Sequence, residues 1–537
     1  MSDFLVRGTL AKVDPAVEEL IRLESERQFR KLILIPSEST APRAVLEALG
    51  SRLQNLYAEG YPDEETRWMT EEEILDYPAR LGHFRRYSDP RYYKGTDYAD
   101  VIEALARRRC AEAFATAEIP ADEIYVNVQP LSGAPANTAV YDALVTPGDT
   151  VMGLNLLHGG HLTHGAPANR SGKWYKIVAY TVDPVTEKID YDAVEALARE
   201  NKPKMIIAGY TSYPWAADWK RFRQIADAVG AYLMADVSHV AGMIAAGVSP
   251  SPLGYAHVIT FTTHKTLCGP RGACILTTDQ GLSRKIDRGV FPGEQGGPHV
   301  NVFAALAVTF QIARTEKFRL LQQQIVRNAR RLSDSLAAQG LRIAYGGTDT
   351  HLLNVDCKSV RAPDGTPLSG DIAARVLDLA GIVLNRNTIP GDTSSVGSAS
   401  GIRMGTPWMT QRGLREPEMD AVAEVIAQVL KACHPFSYSG RSAGARRTAP
   451  QLRARIDFDA MEDARIKVRT LAEKAGIDFK ADRHGYPHFY FLDDPAPKKK
   501  FTQIAVHGAH AESFLYWATT NDVYSLKAGK SQPTRLP

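Results

Sequence analysis

Between about residues 90 and 300, short runs of β-branched and apolar residues alternate with longer stretches in which apolar positions recur every three or four residues. The clearest short runs are Thr150 to Leu154, Lys204 to Gly209, Ala231 to Asp236, His257 to Phe261 and Ala273 to Thr277. Runs of this length predict buried strands, and their alternation with helical patterns predicts an α/β layer with a mostly parallel sheet. A long helical pattern from Val302 to Gln339 then leads into a second αβ region, about Gly346 to Leu430. No repeat or heptad run interrupts this order. The pattern divides the chain into an N-terminal arm (1–56), a large domain (57–320), a smaller α/β domain (321–435), a linker or extension (436–500) and a last segment (501–537).

Composition changes this picture little. At 537 residues the chain exceeds what one core organises, in keeping with two or three domains. A formal net charge of +3 implies no polyanionic partner, so nucleic acid is not expected. The five cysteines are scattered without metal-ligand spacing, and an odd count without a signal sequence points to a reducing compartment. The opening MSDFLVRGTL lacks the apolar core of a signal peptide, and no segment has the apolar length to span a membrane. A soluble cytoplasmic protein is expected.

Candidate chemistry gathers at the strand ends. Val258 to Phe261 runs into Thr262-Thr263-His264-Lys265-Thr266, which delivers one lysine among hydroxyls and an imidazole; such a lysine suits Schiff-base chemistry with a carbonyl cofactor, although a lysine at a strand end is also an ordinary surface residue. Tyr232 to Asp236 ends in an acid, with Ser238 and His239 following. A buried Asp needs a positive partner, and the protonated pyridine of pyridoxal phosphate is one; capping the next helix is the plainer use. His239 is placed for the cofactor's ring oxygen or a substrate carboxylate. Leu131-Ser132-Gly133-Ala134 opens a helical pattern, where backbone amides and the Ser132 hydroxyl form a cradle for phosphate or a simple turn.

These elements, with Tyr57-Ala58-Glu59-Gly60-Tyr61-Pro62, Arg91-Tyr92-Tyr93, the run from His158 to Gly165 (HGGHLTHG), the run from Phe291 to Pro298 (FPGEQGGP) and Gly401-Ile402-Arg403-Met404-Gly405, closely resemble serine hydroxymethyltransferase from about Pro36 to Cys433. The resemblance implies an aminotransferase-like fold (fold type I) with a seven-stranded sheet in the large domain. It also implies pyridoxal 5'-phosphate as cofactor, tetrahydrofolate as co-substrate, and serine and glycine as the amino acids. Lys265 would carry the cofactor, with Asp236 on its ring nitrogen, His161 on its ring face, and Ser132, Gly133, Ala134, Thr211 and His239 around it. His264 joins Lys265 in the catalytic group. Ser37, Arg271 and Arg403 match substrate-pocket positions, Arg403 as the carboxylate clamp. Glu59 matches the proton-handling acid; Tyr57 and Tyr93 match active-site tyrosines, and Gly296 and Gly297 match phosphate contacts. In that family these reach the neighbouring subunit's cofactor, so a homodimer or tetramer is implied. Leu156, Gly159, Gly160, Leu162 and Asn387 match positions that hold the pterin. Thr211 stands where Ser is common and Ala134 where Ser or Thr is frequent, so one phosphate hydroxyl is absent here. A metal site at His158, His161 and His164 is not expected, because Gly159-Gly160 argues against a helix and no carboxylate or cysteine completes the set.

Two stretches depart from the family pattern. Residues Asp63 to Pro90 are inserted between the YAEGYP motif and Arg91-Tyr92-Tyr93, acidic at the start and basic at the end; they read as a surface excursion, a lid or an oligomer contact. After Phe436 the chain carries 17 basic against 11 acidic residues. Ser437 to Arg455 reads as a linker, and Lys498-Lys499-Lys500 as solvated charge. Residues 501–537 resemble the opening of a folate-binding aminomethyltransferase domain, which suggests a remnant, a docking segment or the front of a split protein without a second activity.

Overall fold

The computed structural model describes residues 4–392, 399–438 and 451–475. Seven strands form the central sheet: β1 (Tyr125–Asn127), β2 (Thr150–Leu154), β3 (Lys176–Tyr180), β4 (Met205–Gly209), β5 (Tyr232–Asp236), β6 (Val258–Thr262) and β7 (Ala273–Thr277), in the order β1-β7-β6-β5-β4-β2-β3. Strand β7 runs antiparallel to both neighbours and the remaining pairs are parallel. Every residue of β4, β6 and β7 is buried, because helices cover both faces. Strands buried on both sides read as unbroken apolar runs, which is why these were visible in the sequence. Edge strand β3 is half exposed and three-residue β1 is too short to stand out.

The register places the chemistry. Asp236 is the last residue of β5, opposite Gly209 of β4 and Thr260 of β6. Lys265 follows the end of β6 by three residues, so acid and lysine emerge at the carboxyl edge of the sheet, where α/β folds open a crevice.

The predicted long helix is two, Val300–Ala313 and Glu316–Ala338. Thr315 adopts an extended backbone and its side chain accepts from the Phe318 amide, so a helix start is written into the middle of the apolar pattern.

The smaller domain holds the antiparallel strands β8 (Arg342–Ala344), β9 (Leu352–Asp356), β10 (Asn385–Asn387) and β11 (Gly401–Gly405), ordered β10-β11-β9-β8. Its core joins Leu353, Ile402, Leu377 and Ile426 to Leu32 and Leu34 from the start of the chain. Leu32–Ile33 pairs in parallel with Ile382–Val383, so this part of the N-terminal arm packs as a component of the small domain. Two strands lie at the described ends of the stretch read as a linker. Strands β12 (Cys433–Tyr438) and β13 (Gln451–Ile456) pair antiparallel, and the helix Phe458–Lys474 buries Met461, Ala464 and Val468 in the same core. Residues 439–450 and 476–537, with the aminomethyltransferase-like segment, lie outside the described residues.

The inserted stretch is built into the large domain. After a short turn it forms two helices, Glu71–Leu75 and Tyr77–Tyr87, the first begun by a Thr70–Glu73 capping box and the second capped by Asp76. Ile74 and Phe84 are buried against the large-domain core, each contributing about 1.5–3 kcal/mol. Asp63, Glu65 and His83 converge beside Arg80, whose guanidinium lies 4.0 and 3.6 Å from the two carboxylates and balances their charge. Among the described residues no helix is long and apolar enough to cross a membrane.

Candidate active site

A cavity of about 200 Å³ opens at the carboxyl edge of β5 and β6. Its lining includes the predicted Gly133, Ala134, His161, Thr211, Asp236, His239, His264 and Lys265, together with Asn137, Tyr210, Ser238 and Thr262.

Asp236 is 7% exposed and fully hydrogen-bonded. Its Oδ1 accepts from the Ser238 amide (3.1 Å) and hydroxyl (2.6 Å), and its Oδ2 accepts from Asn137 Nδ2 (2.8 Å) and lies 3.0 Å from His164 Nε2. Burial alone would raise this carboxyl, but the hydrogen bonds from His164 and Ser238 outweigh it and hold the group well below the usual carboxylate range. The cavity therefore has one permanent negative charge.

Lys265 is buried, and among the described residues its ammonium makes no hydrogen bond or ion pair. Burial pushes it down to about 8, with Asp236 opposing and the Arg403 and Arg271 charges assisting. A buried amine that is partly neutral near physiological pH is a nucleophile.

At the opposite wall the helix Gly133–Leu144 begins. Ser132 occupies its N-cap position and its hydroxyl makes no capping bond; Gly133 and Ala134 of the first turn line the cavity, whereas Ser132 itself does not. A Cβ added at Gly133 would meet Thr262 Cγ2 at 2.6 Å, so only glycine lets the helix start this close to β6.

The imidazoles are held neutral. Burial pushes His161 down to about 4 and His264 to about 3, and it takes His239 well below its ordinary value. His239 Nδ1 lies 3.2 Å from His351 Nε2, with the rings 27° from parallel. Arg403, on β11, does not line the cavity itself but is bonded to a residue that does: its guanidinium donates to the Thr211 carbonyl and, at 3.2 Å, to Asn385 Oδ1. Burial lowers it to about 10, so it stays a cation, and among the described residues no carboxylate pairs with it.

The other predicted residues lie elsewhere. Ser37, Arg271, Leu156, Gly159, Gly160, Leu162 and Asn387 do not line this cavity. Gly159 (φ +104°) and Gly160 have a packing reason as well: a Cβ would meet the Tyr213 amide nitrogen at 2.8 Å and the Leu154 carbonyl at 2.0 Å, respectively. Tyr57, Glu59, Tyr93, Gly296 and Gly297 form a cluster of their own. Tyr57 donates to Glu59 Oε1 (3.1 Å), its ring meets Tyr93 edge-on at 4.9 Å, and both glycines abut Tyr57 or Glu59. Tyr57 is 55% exposed and Tyr93 44%, and none of the five lines the Lys265 cavity.

Three contributors were not singled out from sequence: Asn137, His164 and Ser238, all hydrogen-bonded to Asp236. Ser238 was recoverable as the residue two after a buried Asp, a spacing that favours a local side-chain bond. His164 sat inside a quoted motif without a role. Contrary to the expectation from sequence, a carboxylate does accompany two of the three histidines: ligand atoms of His161, His164 and Asp236 lie within 4.8 Å of one another. Here His164 is engaged with Asp236 and His161 Nδ1 with Thr163 Oγ1 (2.7 Å), while His158 points away to accept from the Val182 amide.

The family model of serine hydroxymethyltransferase matches residues 10–87 and 83–426. The chain belongs to the serine hydroxymethyltransferase family. It is a pyridoxal-phosphate-dependent enzyme of fold type I, and the family uses tetrahydrofolate as co-substrate. The cavity suits pyridoxal phosphate on its own chemistry: an unpartnered buried amine for the aldehyde, an ionised acid for the ring nitrogen, and an uncapped helix start for the phosphate. Because only the neutral amine is nucleophilic, covalent uptake of the cofactor by the cofactor-free protein should accelerate with pH and level off above about 8. Stopped-flow absorbance over pH 6–10 reads this directly, and a flat profile would contradict the buried-amine assignment.

Proposed function

We propose that this enzyme interconverts serine and tetrahydrofolate with glycine and 5,10-methylenetetrahydrofolate. The observation that carries the reading is the pairing of an unpartnered buried Lys265 with an ionised Asp236 across one cavity, overlooked by the carboxylate-free cation Arg403. When bound, pyridoxal phosphate supplies an electron sink for negative charge on the amino acid's α-carbon.

The chain's own residues do the rest. Lys265 holds the cofactor through Nζ, Asp236 holds its ring nitrogen protonated, and His161 covers the ring. The amides of Gly133 and Ala134, with the Ser132 hydroxyl, hold the phosphate. Arg403 orients the substrate by its carboxylate, which a planar fork can grip by both oxygens. Glu59 moves protons through Oε2, since Oε1 already accepts from Tyr57.

Glu59, Tyr57 and Tyr93 sit apart from Lys265 in one copy of the chain, so the working site takes them, with Gly296 and Gly297, from a second copy. That arrangement supports a dimer or larger assembly with shared sites. Serine's hydroxymethyl carbon then passes to the folate.

Incubating the purified enzyme with labelled serine, with and without tetrahydrofolate, tests the reading. Label in methylenetetrahydrofolate and strict folate dependence are expected; equal cleavage without folate would replace it with an aldolase acting on hydroxyamino acids. An Arg403→Lys variant should raise the serine KM by about 10- to 100-fold with a smaller change in kcat, because a point charge replaces the fork. Initial rates against serine concentration decide this.

A further inference from the structure

We infer that Arg91 is a positioning residue for Glu59, an inference that rests on the proton-handling reading of Glu59 given above. Arg91 is 1% exposed, and every nitrogen of its guanidinium is engaged. Its Nε donates to Asp100 (2.5 Å) and its Nη2 to Glu103 (2.5 Å), two acids on the helix Asp97–Phe114. Its Nη1 donates both to the Ala58 carbonyl (2.8 Å) and to the Gly60 carbonyl (3.0 Å). The carbonyl between them, that of Glu59, accepts from the Tyr92 amide at 3.0 Å.

Three consecutive carbonyls around Glu59 are thus tied to residues 91 and 92. A chain held at three successive peptide groups has a fixed Cα–Cβ direction at Glu59, so Arg91 sets where the side chain starts, and the Tyr57 hydroxyl then holds its Oε1 at 3.1 Å. Gln129 adds a fourth tie, donating from Nε2 to the Gly60 carbonyl (2.8 Å) while also reaching Glu103. Gly60 has φ +105°, and a Cβ there would come within 3.2 Å of Arg91 Cα, so the strap is drawn close onto this residue.

This staple has a particular task in this chain. Residues 63–90 separate the two segments, and closing a connection of that length leaves their relative placement to side-chain ties. Arg91 supplies them without adding net charge to the core, because Arg91 and Arg107 face Asp100 and Glu103. Lysine keeps the charge but lacks the fork that reaches two acids and two carbonyls together.

The test compares wild type, Arg91→Lys, Glu59→Gln and the double variant as holoenzymes. Arg91→Lys should lower kcat by 10- to 100-fold with the serine KM changed less than threefold, and it should have less than a threefold further effect once Glu59 is glutamine. In the same proteins, exchange of the Tyr92 amide, which donates to the Glu59 carbonyl, should speed up at least tenfold in Arg91→Lys, while strand Tyr232–Asp236 keeps its protection. An equal loss of kcat from Arg91→Lys in both backgrounds, or unchanged exchange at Tyr92, would overturn the inference. A fully active Glu59→Gln would instead overturn the reading of Glu59, and with it any action of Arg91 through that residue.

Discussion

Turnover in a Lys265→Ala protein is expected to fall at least about a thousandfold, equivalent to about 4 kcal/mol of transition-state stabilisation, and the covalent cofactor adduct should disappear from the borohydride-reduced protein in intact-mass spectra. An active Lys265→Ala enzyme would remove the basis of the proposed mechanism. The same substitution should stabilise the cofactor-free protein. Burial lowers Lys265 from 10.5 to about 8, so the folded state disfavours the ammonium. Below pH 8 the group is charged in both folded and unfolded chains, and the folded one bears the full cost, roughly 3 kcal/mol. Between 8 and 10.5 that cost fades as the folded amine becomes neutral. Thermal unfolding should therefore show the cofactor-free variant ahead of wild type at pH 7, with the gap closing toward pH 10. A lower Tm for the variant at pH 7 would mean that Lys265 stabilises the empty fold.

Asp236→Asn should fail in both respects. Its activity loss should again reach about a thousandfold, because an amide carries no charge to hold a ring nitrogen protonated. It should also lose stability without cofactor. The acid's two oxygens face donors from four directions, and an amide would turn an NH2 group toward either Ser238 or the Asn137–His164 pair. A donor left facing donors in a buried site costs about 1–3 kcal/mol. Kinetics together with thermal melts of the cofactor-free forms separate the two variants: both inactive, one more stable than wild type and one less. An Asp236→Asn protein as stable as wild type would show that the donor cage is not constraining.

The central strands and the residues at their carboxyl ends were legible because burial on both faces writes an apolar run and a polar residue ending that run stands out. Lys265 and Asp236 are of this kind. What was not legible depended on partners distant in sequence. Asn137 reaches Asp236 from a helix 99 positions earlier. Arg91 looked like one member of a motif, and its grip on two helical acids and two carbonyls has no periodicity to betray it. The break at Thr315 was hidden by apolar positions that keep their spacing across both helices. The 63–90 insertion reads as acidic and then basic with apolar residues interleaved; Ile74 and Phe84 seat it, helped by ion pairs from Arg67 to Asp287 and from Glu71 to Arg109 that no local pattern announces. Residues 451–456 are one-third arginine, and it is pairing with Cys433–Tyr438 that makes them a strand.

The small-domain core has a consequence for the order in which this protein takes shape during synthesis. The large-domain sheet is complete once Thr277 has been made, so that half can consolidate while the chain is still being translated. Leu32 and Leu34 are made far earlier but belong with Leu353, Ile402 and Ile426. Until those partners emerge, the early residues have no core to enter and must wait beside an already folded neighbour. Closure comes last, when the helix Phe458–Lys474 arrives and Arg412 donates to the Ala472 carbonyl at 2.7 Å. The beginning and the end of this half are therefore expected to pack together late, and a ribosome stalled before residue 400 should carry a complete large-domain sheet with an unclosed apolar segment at its front.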